Sequence, residues 1–302
     1  MPDSPSLSAF IALVGRPNVG KSSLLNAMVG RKVAIVSDKP QTTRNRIMGV
    51  LTRDQTQLVF LDTPGNHRPR TRLGDFMVKS ITEAVSGVDA AVMVAECSTH
   101  IRPEEEALIA QFRQQKLPAI LVINKIDTLE DKTALLACID AWREQYAFDE
   151  ILPVSALTGE GVDELIGLLS KYAFESPHFF PDDTVSDQPE RVLAAELIRE
   201  QMLLSLRQEI PHGIAVVVEQ MSERETDRGT ILDIEANIFC ERDTHKGMVI
   251  GKRGAMLKQI ASAARAEMET LFGAKVNLQC WVKVKEDWRN RQGLLNSFGY
   301  RE

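Results

Sequence analysis

The chain has 302 residues, 44% of them hydrophobic and 26% charged, with a formal charge of −6; this is the composition of a folded globular protein with core enough for two domains. The acidic average excludes a chain that is basic throughout, and Cys97, Cys138, Cys240 and Cys280 lack metal-site spacing, so free thiols in a reducing cytoplasm are expected. No apolar run approaches the ~20 residues of a membrane span, and residues 1–6 do not have the pattern of a secretory leader.

The first apolar run, Phe10–Val14, leads into Gly15-Arg16-Pro17-Asn18-Val19-Gly20-Lys21-Ser22 and then a helical stretch, Ser23–Met28. Strand, glycine-bounded loop, Lys-Ser and helix make a phosphate cradle: backbone N–H groups converge on oxygens and the helix N-terminus adds positive charge. Lys21 is expected on the terminal phosphates and the Ser22 hydroxyl on Mg2+. A strand is expected at Val33–Val36, then a polar stretch containing Gln41-Thr42-Thr43-Arg44. A threonine there would close over the γ-phosphate and Mg2+ and release after hydrolysis; Thr43 is favoured, with Thr42 second.

Strand-like runs continue at Leu58–Leu61, Ala90–Ala95, Ala119–Ile123 and Ile151–Val154, with helical stretches at Pro103–Lys116, Lys132–Tyr146 and Val162–Ala173. Short doubly apolar strands alternating with helices predict a mostly parallel α/β sheet, whose ligands bind at the carboxyl ends of the strands. Asp62-Thr63-Pro64-Gly65 follows Leu58–Leu61, where Asp62 would hold Mg2+ and the Gly65 amide would sense the γ-phosphate. Asn124-Lys125-Ile126-Asp127 follows another, and the Asp127 carboxylate suits the N1–H and exocyclic amine of guanine, a donor pair that adenine lacks. Lys125 would lie across the base and Asn124 would brace the phosphate loop. Ser155-Ala156-Leu157 follows the last strand, with the Ala156 amide expected on guanine O6.

Residues 8–175 are thus read as a nucleotide-binding domain, 176–189 as a proline-rich acidic linker and 190–302 as a smaller α+β domain. The smaller domain opens with a helix, Glu190–Gln208, followed by strands at Gly213–Gln220 and Thr230–Phe239. Met248-Val249-Ile250-Gly251-Lys252-Arg253-Gly254 then precedes a helix at Ala255–Leu271 and a strand at Ala274–Lys285. Its Gly-x-x-Gly loop resembles that of KH domains, which clamp single-stranded nucleic acid. Lys252, Arg253 and Lys258 would attract phosphate, and Met248, Val249, Ile250 and Ile260 would line a groove for bases. From Glu241 to Arg291 eleven basic residues face six acidic ones, a reversal of the whole-chain sign. Lys283 and Lys285 share one strand face; Trp288 is open to either base stacking or packing, and Trp281 is read as core.

The order Gly-x-Pro-Asn-x-Gly-Lys-Ser, Gln-Thr-Thr-Arg, Asp-Thr-Pro-Gly, Asn-Lys-x-Asp, Ser-Ala resembles the Era branch of the translation-factor-like GTPases, over about Ser8 to Arg291. The resemblance implies a P-loop GTPase fold joined to a type II KH domain, with slow hydrolysis by Lys21, Thr43 and Mg2+. It further implies binding to the 3′ region of 16S ribosomal RNA, assistance to the small ribosomal subunit, a monomer, and a cytoplasmic location with peripheral inner-membrane contact. In some relatives the residue at the position of Asn18 helps hold K+. The branch lacks a water-orienting glutamine, and Asn66 stands here where an apolar residue is usual, so no group is assigned to orient water. His67 is read as a loop histidine. A rival reading gives the basic small domain anionic lipid or a protein partner instead of RNA.

Overall fold

The first strand, β1 (Leu7–Val14), is apolar on both faces, and its alternate residues feed two separate cores. In this computed structural model, which describes residues 5–65, 71–131, 133–206, 213–227 and 229–300, Ile11 and Leu13 point into one core, and Ala12 and Val14 into the other. After β1 come α1 (Lys21–Val29), β2 (Ile47–Arg53), β3 (Thr56–Asp62), α2 (Arg72–Val85), β4 (Ala90–Glu96), α3 (Pro103–Gln115) and β5 (Ala119–Asn124). Next are α4 (Thr133–Arg143), β6 (Glu150–Pro153), α5 (Val162–Leu169) and a two-residue β7 (Phe174–Glu175).

The sheet order is β2-β3-β1-β4-β5-β6, parallel throughout except for β2, with β7 pairing antiparallel to the start of β1. Leu24, Leu25 and Met28 of α1 and Leu165, Ile166 and Leu169 of α5 bury one face. Ile81 and Val85 of α2, Leu108 and Phe112 of α3, and Cys138 and Trp142 of α4 bury the other. Each such aliphatic side chain contributes roughly 1.5–3 kcal/mol on leaving water. The sequence runs out to β3 on one side of β1 and to β4 on the other, so the crevice for a ligand lies at the carboxyl end of β1.

Val33–Val36 is not a strand. Val33, Ala34 and Ile35 are buried, but Asn26 of α1 substitutes for a ladder: its Oδ1 accepts the N–H groups of Val33 and Ala34 at 2.9 Å, and its Nδ2 donates to Ala34 O at 2.8 Å. One side chain satisfies the backbone, so no neighbouring strand is required. The strand in this region is instead β2, which has Gly49 at its middle.

The proline-rich segment after β7 lies along the first sheet. Gln57, wholly buried on β3, accepts the N–H groups of Phe179 and Phe180 at 2.8 and 3.0 Å and donates to Phe180 O at 2.9 Å. Val50 N–H donates to Val185 O at 3.0 Å and the Ser186 hydroxyl to Met48 O at 2.7 Å, which covers the outer edge of β2. His178 contacts Asp182 Oδ1 and Gln55 O through its two ring nitrogens at 2.7 and 3.1 Å.

Contacts divide the chain into two units. One comprises Met1–Val36, Thr43–Pro69 and Met77–Asp187; the other comprises Ser37–Thr42, Arg70–Phe76 and Gln188–Glu302. The second contains α6 (Glu190–Ser205), β8 (Ile214–Thr226), β9 (Gly229–Cys240), α7 (Asp243–Ile250), α8 (Ala255–Phe272), β10 (Lys275–Val284) and α9 (Gln292–Ser297). Its sheet order is β10-β9-β8, with β9 parallel to β10 and antiparallel to β8. Ile260, Ala264 and Met268, spaced four apart on α8, form its buried stripe. The fold expectation is met: a mostly parallel α/β unit followed by an α+β unit. The β8–β9 hairpin runs well past Gln220 because Arg224 pairs with Asp233 at 2.9 Å and Thr230 donates to Glu225 at 2.9 Å, so its outer half is polar.

Candidate nucleotide site and nucleic-acid interface

The loop between β1 and α1 is held from three sides. Lys21, although buried, points its Nζ back at Gly15 O (3.0 Å) and Arg16 O (2.9 Å). Burial lowers its pKa to about 8, against the opposing pull of Asp62. Gly20 has φ of 94° and lies against the Asn124 amide, so a side chain there would meet both backbone strain and a clash. Asn124 Nδ2 donates to Val19 O at 2.9 Å, and Lys125 Nζ donates to Asn18 O at 2.6 Å. Asn18 itself has φ of 65°. The Arg16 side chain turns away, to Glu105 of α3 at 2.7 Å. Pro17 leaves no room for a Cβ at Gly65, so these two turns touch backbone to backbone. Ser23 is half-buried on the first turn of α1.

Three oxygens meet beside Lys21. The Ser22 hydroxyl donates to Asp62 Oδ2 at 2.6 Å and lies 2.9 Å from Thr43 Oγ1. Burial raises the Asp62 carboxyl to about 6, while Lys21 and the Ser22 bond pull it down. Asp62 Oδ1 is buried without a hydrogen-bond partner among the described residues. Two hydroxyls and one carboxylate, whose second oxygen is orphaned, form a hard-oxygen donor set that fits Mg2+. Thr42 is turned elsewhere: its hydroxyl donates to Lys39 O at 2.6 Å and contacts Ser37 at 2.7 Å. Of the two threonines, it is Thr43 whose hydroxyl meets Ser22 beside Asp62. Thr63 braces the site by donating to Leu13 O at 2.8 Å, and Pro64 is buried. Asn66 and His67 lie outside the described residues.

The residues expected to recognise the base converge at the ends of β5 and β6. Ser155 Oγ donates to Asp127 Oδ1 at 2.5 Å, which fixes the carboxylate, and Asn124 Oδ1 accepts the Ala156 N–H at 3.0 Å. The Ala156 amide, expected to await guanine O6, is therefore already engaged. Leu157 is exposed. Lys125 also pairs with Glu96, a partner not foreseen from the sequence. The available signal was register: Glu96 ends β4 opposite Asn124. Ser155 as the orienter of Asp127, and Glu105 as the partner of Arg16, were likewise missed.

In the second unit, Gly251-Lys252-Arg253-Gly254 joins α7 to α8. Gly251, Arg253 and Gly254 have φ of 71°, 53° and 80°, which tightens the turn and leaves Lys252 and Arg253 exposed. Met248 and Lys258 are exposed and Ile250 is half-buried. Val249 and Ile260 do not line a groove. Both are wholly buried, because Met248–Ile250 belong to a helix whose Val249 faces the core. Trp288 takes the packing alternative, whereas Trp281, read as core, lies at the surface. Trp288 is 0% exposed, donates from Nε1 to Gly213 O at 2.9 Å and stacks on Tyr300, leaving no face for a base. Trp281 is 43% exposed and shares the outer face of β10 with exposed Lys283; Lys285, likewise exposed, follows in step just past the strand. The inner face, from Val276 onward, packs on α8.

The family model for a 50S ribosome-binding GTPase matches residues 10–125, and that for a KH domain matches residues 209–289. GTPase Era of Clostridioides difficile (strain 630) is 52% identical over 98% of this chain and 99% of its own length. GTPase Era of Ruminiclostridium cellulolyticum is 46% identical over 97% of each. Two solved structures superpose with a TM-score of 0.92 at 38% identity, covering 98% of this chain and all of theirs. One is a point variant of Aquifex aeolicus Era bound to GDP·AlF4−; the other is Era in complex with MgGDPNP and nucleotides 1506–1542 of 16S ribosomal RNA.

Proposed function

The chain belongs to the Era family of GTPases, and we propose that it is a switch that grips the 3′ region of 16S ribosomal RNA and assists maturation of the small ribosomal subunit. It hydrolyses GTP to GDP and phosphate. The observation that carries the guanine assignment is Asp127, its carboxylate held by Ser155 at 2.5 Å and ready to accept two N–H donors. Adenine would leave that carboxylate unpaired away from water.

Lys21 is held by carbonyls that phosphate oxygens can replace, so its amine can turn to the γ-phosphate without crossing solvent. Ser22, Thr43 and Asp62 would hold Mg2+, which supplies charge neutralisation at the β- and γ-phosphates. Thr43 then senses whether the γ-phosphate is present. Asn18 is a candidate K+ ligand; hydrolysis several-fold faster in potassium than in matched sodium buffer supports this, and equal rates remove it.

The RNA assignment rests on exposed Lys252 and Arg253 in a tight Gly-x-x-Gly turn, together with likeness over the whole chain to the Era structure that holds a 16S fragment. Work on ribosomal RNA of this kind belongs in the cytoplasm. A labelled RNA carrying nucleotides 1506–1542 tests the assignment. Tight binding that changes between GTP and GDP supports the reading; affinity no better than for an unrelated single strand overturns it.

A further inference from the structure

Two of the four cysteines stand against one another in the first unit. Cys97 follows β4 directly after Glu96, and Cys138 lies on α4. Each sulfur is seated on the other's stretch of backbone. Cys97 Sγ donates to Ala134 O at 3.6 Å, one helical turn before Cys138. Cys138 Sγ donates to Ser98 O at 3.4 Å and accepts the Ser98 N–H at 3.3 Å, at the residue after Cys97. The two thiols are also near enough to influence each other's ionisation. Cys138 is fully buried and Cys97 is half-buried. Nothing in the nucleotide chemistry uses either.

We propose that Cys97 and Cys138 are an oxidation site, a dithiol that a hydroperoxide closes to a disulfide. The sulfur of Cys97, the one that solvent reaches, attacks the peroxide. An S–O bond forms, the O–O bond breaks, and water leaves from hydrogen peroxide, giving a sulfenic acid. The Cys138 sulfur then attacks Cys97 Sγ; the S–S bond forms, the S–O bond breaks, and the hydroxyl departs as a second water with the Cys138 proton. In sum two thiols and one peroxide give one disulfide and two waters. Burial pushes the Cys138 thiol up to about 11, so it is inert towards peroxide in solution. It becomes effective only against a sulfenic acid held beside it, where the step is intramolecular.

The consequence is local. To bond, the two sulfurs must close to about 2.05 Å. Cys138 lies in a core with Phe112 and Trp142 that has no slack to absorb the movement. Cys97 follows Glu96, whose carboxylate holds Lys125 of Asn-Lys-x-Asp. Closure therefore shifts the end of β4 and loosens guanine nucleotide binding.

The test uses the full chain treated with hydrogen peroxide. Peptide mapping without reductant is expected to find Cys97 joined to Cys138, reversibly by dithiothreitol, and GDP affinity is expected to fall about fivefold, at the low end of site-to-site coupling. Cys97→Ser should leave Cys138 a thiol. Cys138→Ser should leave Cys97 as a sulfenic acid that dimedone traps, and neither variant's GDP affinity should respond to peroxide. Over-oxidation of Cys97 without a cross-link, or a cystine that joins Cys97 or Cys138 to Cys240 or Cys280, overturns the site. A Cys97–Cys138 disulfide that leaves GDP affinity unchanged overturns the coupling to the nucleotide.

Discussion

The two units build their candidate sites from opposite materials. The nucleotide site is made of polar groups, most of them buried and each held by another: Asn124 spans Val19 and Ala156, buried Ser155 holds the exposed Asp127, and half-buried Ser22 joins Asp62 to Thr43. The nucleic-acid interface is made of exposed cations raised on a strained turn, Lys252 and Arg253 between Gly251 and Gly254. The first arrangement discriminates through desolvation and geometry, where one missing partner leaves an unpaired buried group. The second attracts through charge in water, where each contact is weak, additive and screened by salt.

The contrast can be tested by substitution, beginning where the loss should be greatest. Lys21→Ala should reduce single-turnover GTP hydrolysis by more than about a hundredfold, since it removes charge stabilisation from a buried site. A rate within tenfold of the parent would mean that the buried amine is structural. Asp127→Asn should reduce the preference for GTP over ATP by about two orders of magnitude in equilibrium binding; Ser155→Ala, which only frees the carboxylate to rotate, should lower GTP affinity about tenfold. If Ser155→Ala were the more damaging of the two, the carboxylate would not be the reader of the base. In the other unit Lys252→Ala should weaken RNA binding only severalfold and lower the slope of log affinity against log salt by about one. A salt-insensitive loss would show that the loop reads shape rather than charge.

The smallest effect concerns pH. Hydrogen bonding to Asp182 raises the pKa of His178 above its ordinary value. A raised folded-state pKa stabilises below the unfolded value near 6.5 and loses that contribution as pH rises through the folded one. His178→Gln should therefore flatten the decline in melting temperature across that window while changing hydrolysis little. An unaltered pH profile would show that the histidine is already neutral in its clamp.

Much of the nucleotide site was legible because its chemistry sits in short local motifs at strand ends, where a run of apolar residues stops. What the sequence hid was long-range. Glu96 reaches Lys125, and Glu105 reaches Arg16, only because strand register and helix packing bring them there. Val33–Val36 looks like a strand by composition, yet Asn26 supplies its hydrogen bonds. Trp281 misled for a related reason. Trp281 sits on a strand flanked by apolar residues, which suggests core, but alternation sends it outward at the sheet edge. Trp288 follows a run of charge and is open to either role in the sequence; the returning C-terminal residues Phe298 and Tyr300 close over it and make it packing. Burial from a distant segment leaves no local signature.

Gln57 has a consequence for how the polypeptide can be divided. Its amide takes its partners from Phe179 and Phe180, and Ser186 is anchored to Met48. Only Asp187, Gln188 and Pro189 separate that anchor from the start of α6 at Glu190. A protease should accordingly spare the proline-rich stretch up to Ser186 and nick just beyond it. A truncated N-terminal half that stops at Glu175 would leave Gln57 only its bond to Thr52 and would open the amide and the sheet margin to water, whereas one that stops at Asp187 would keep both sealed.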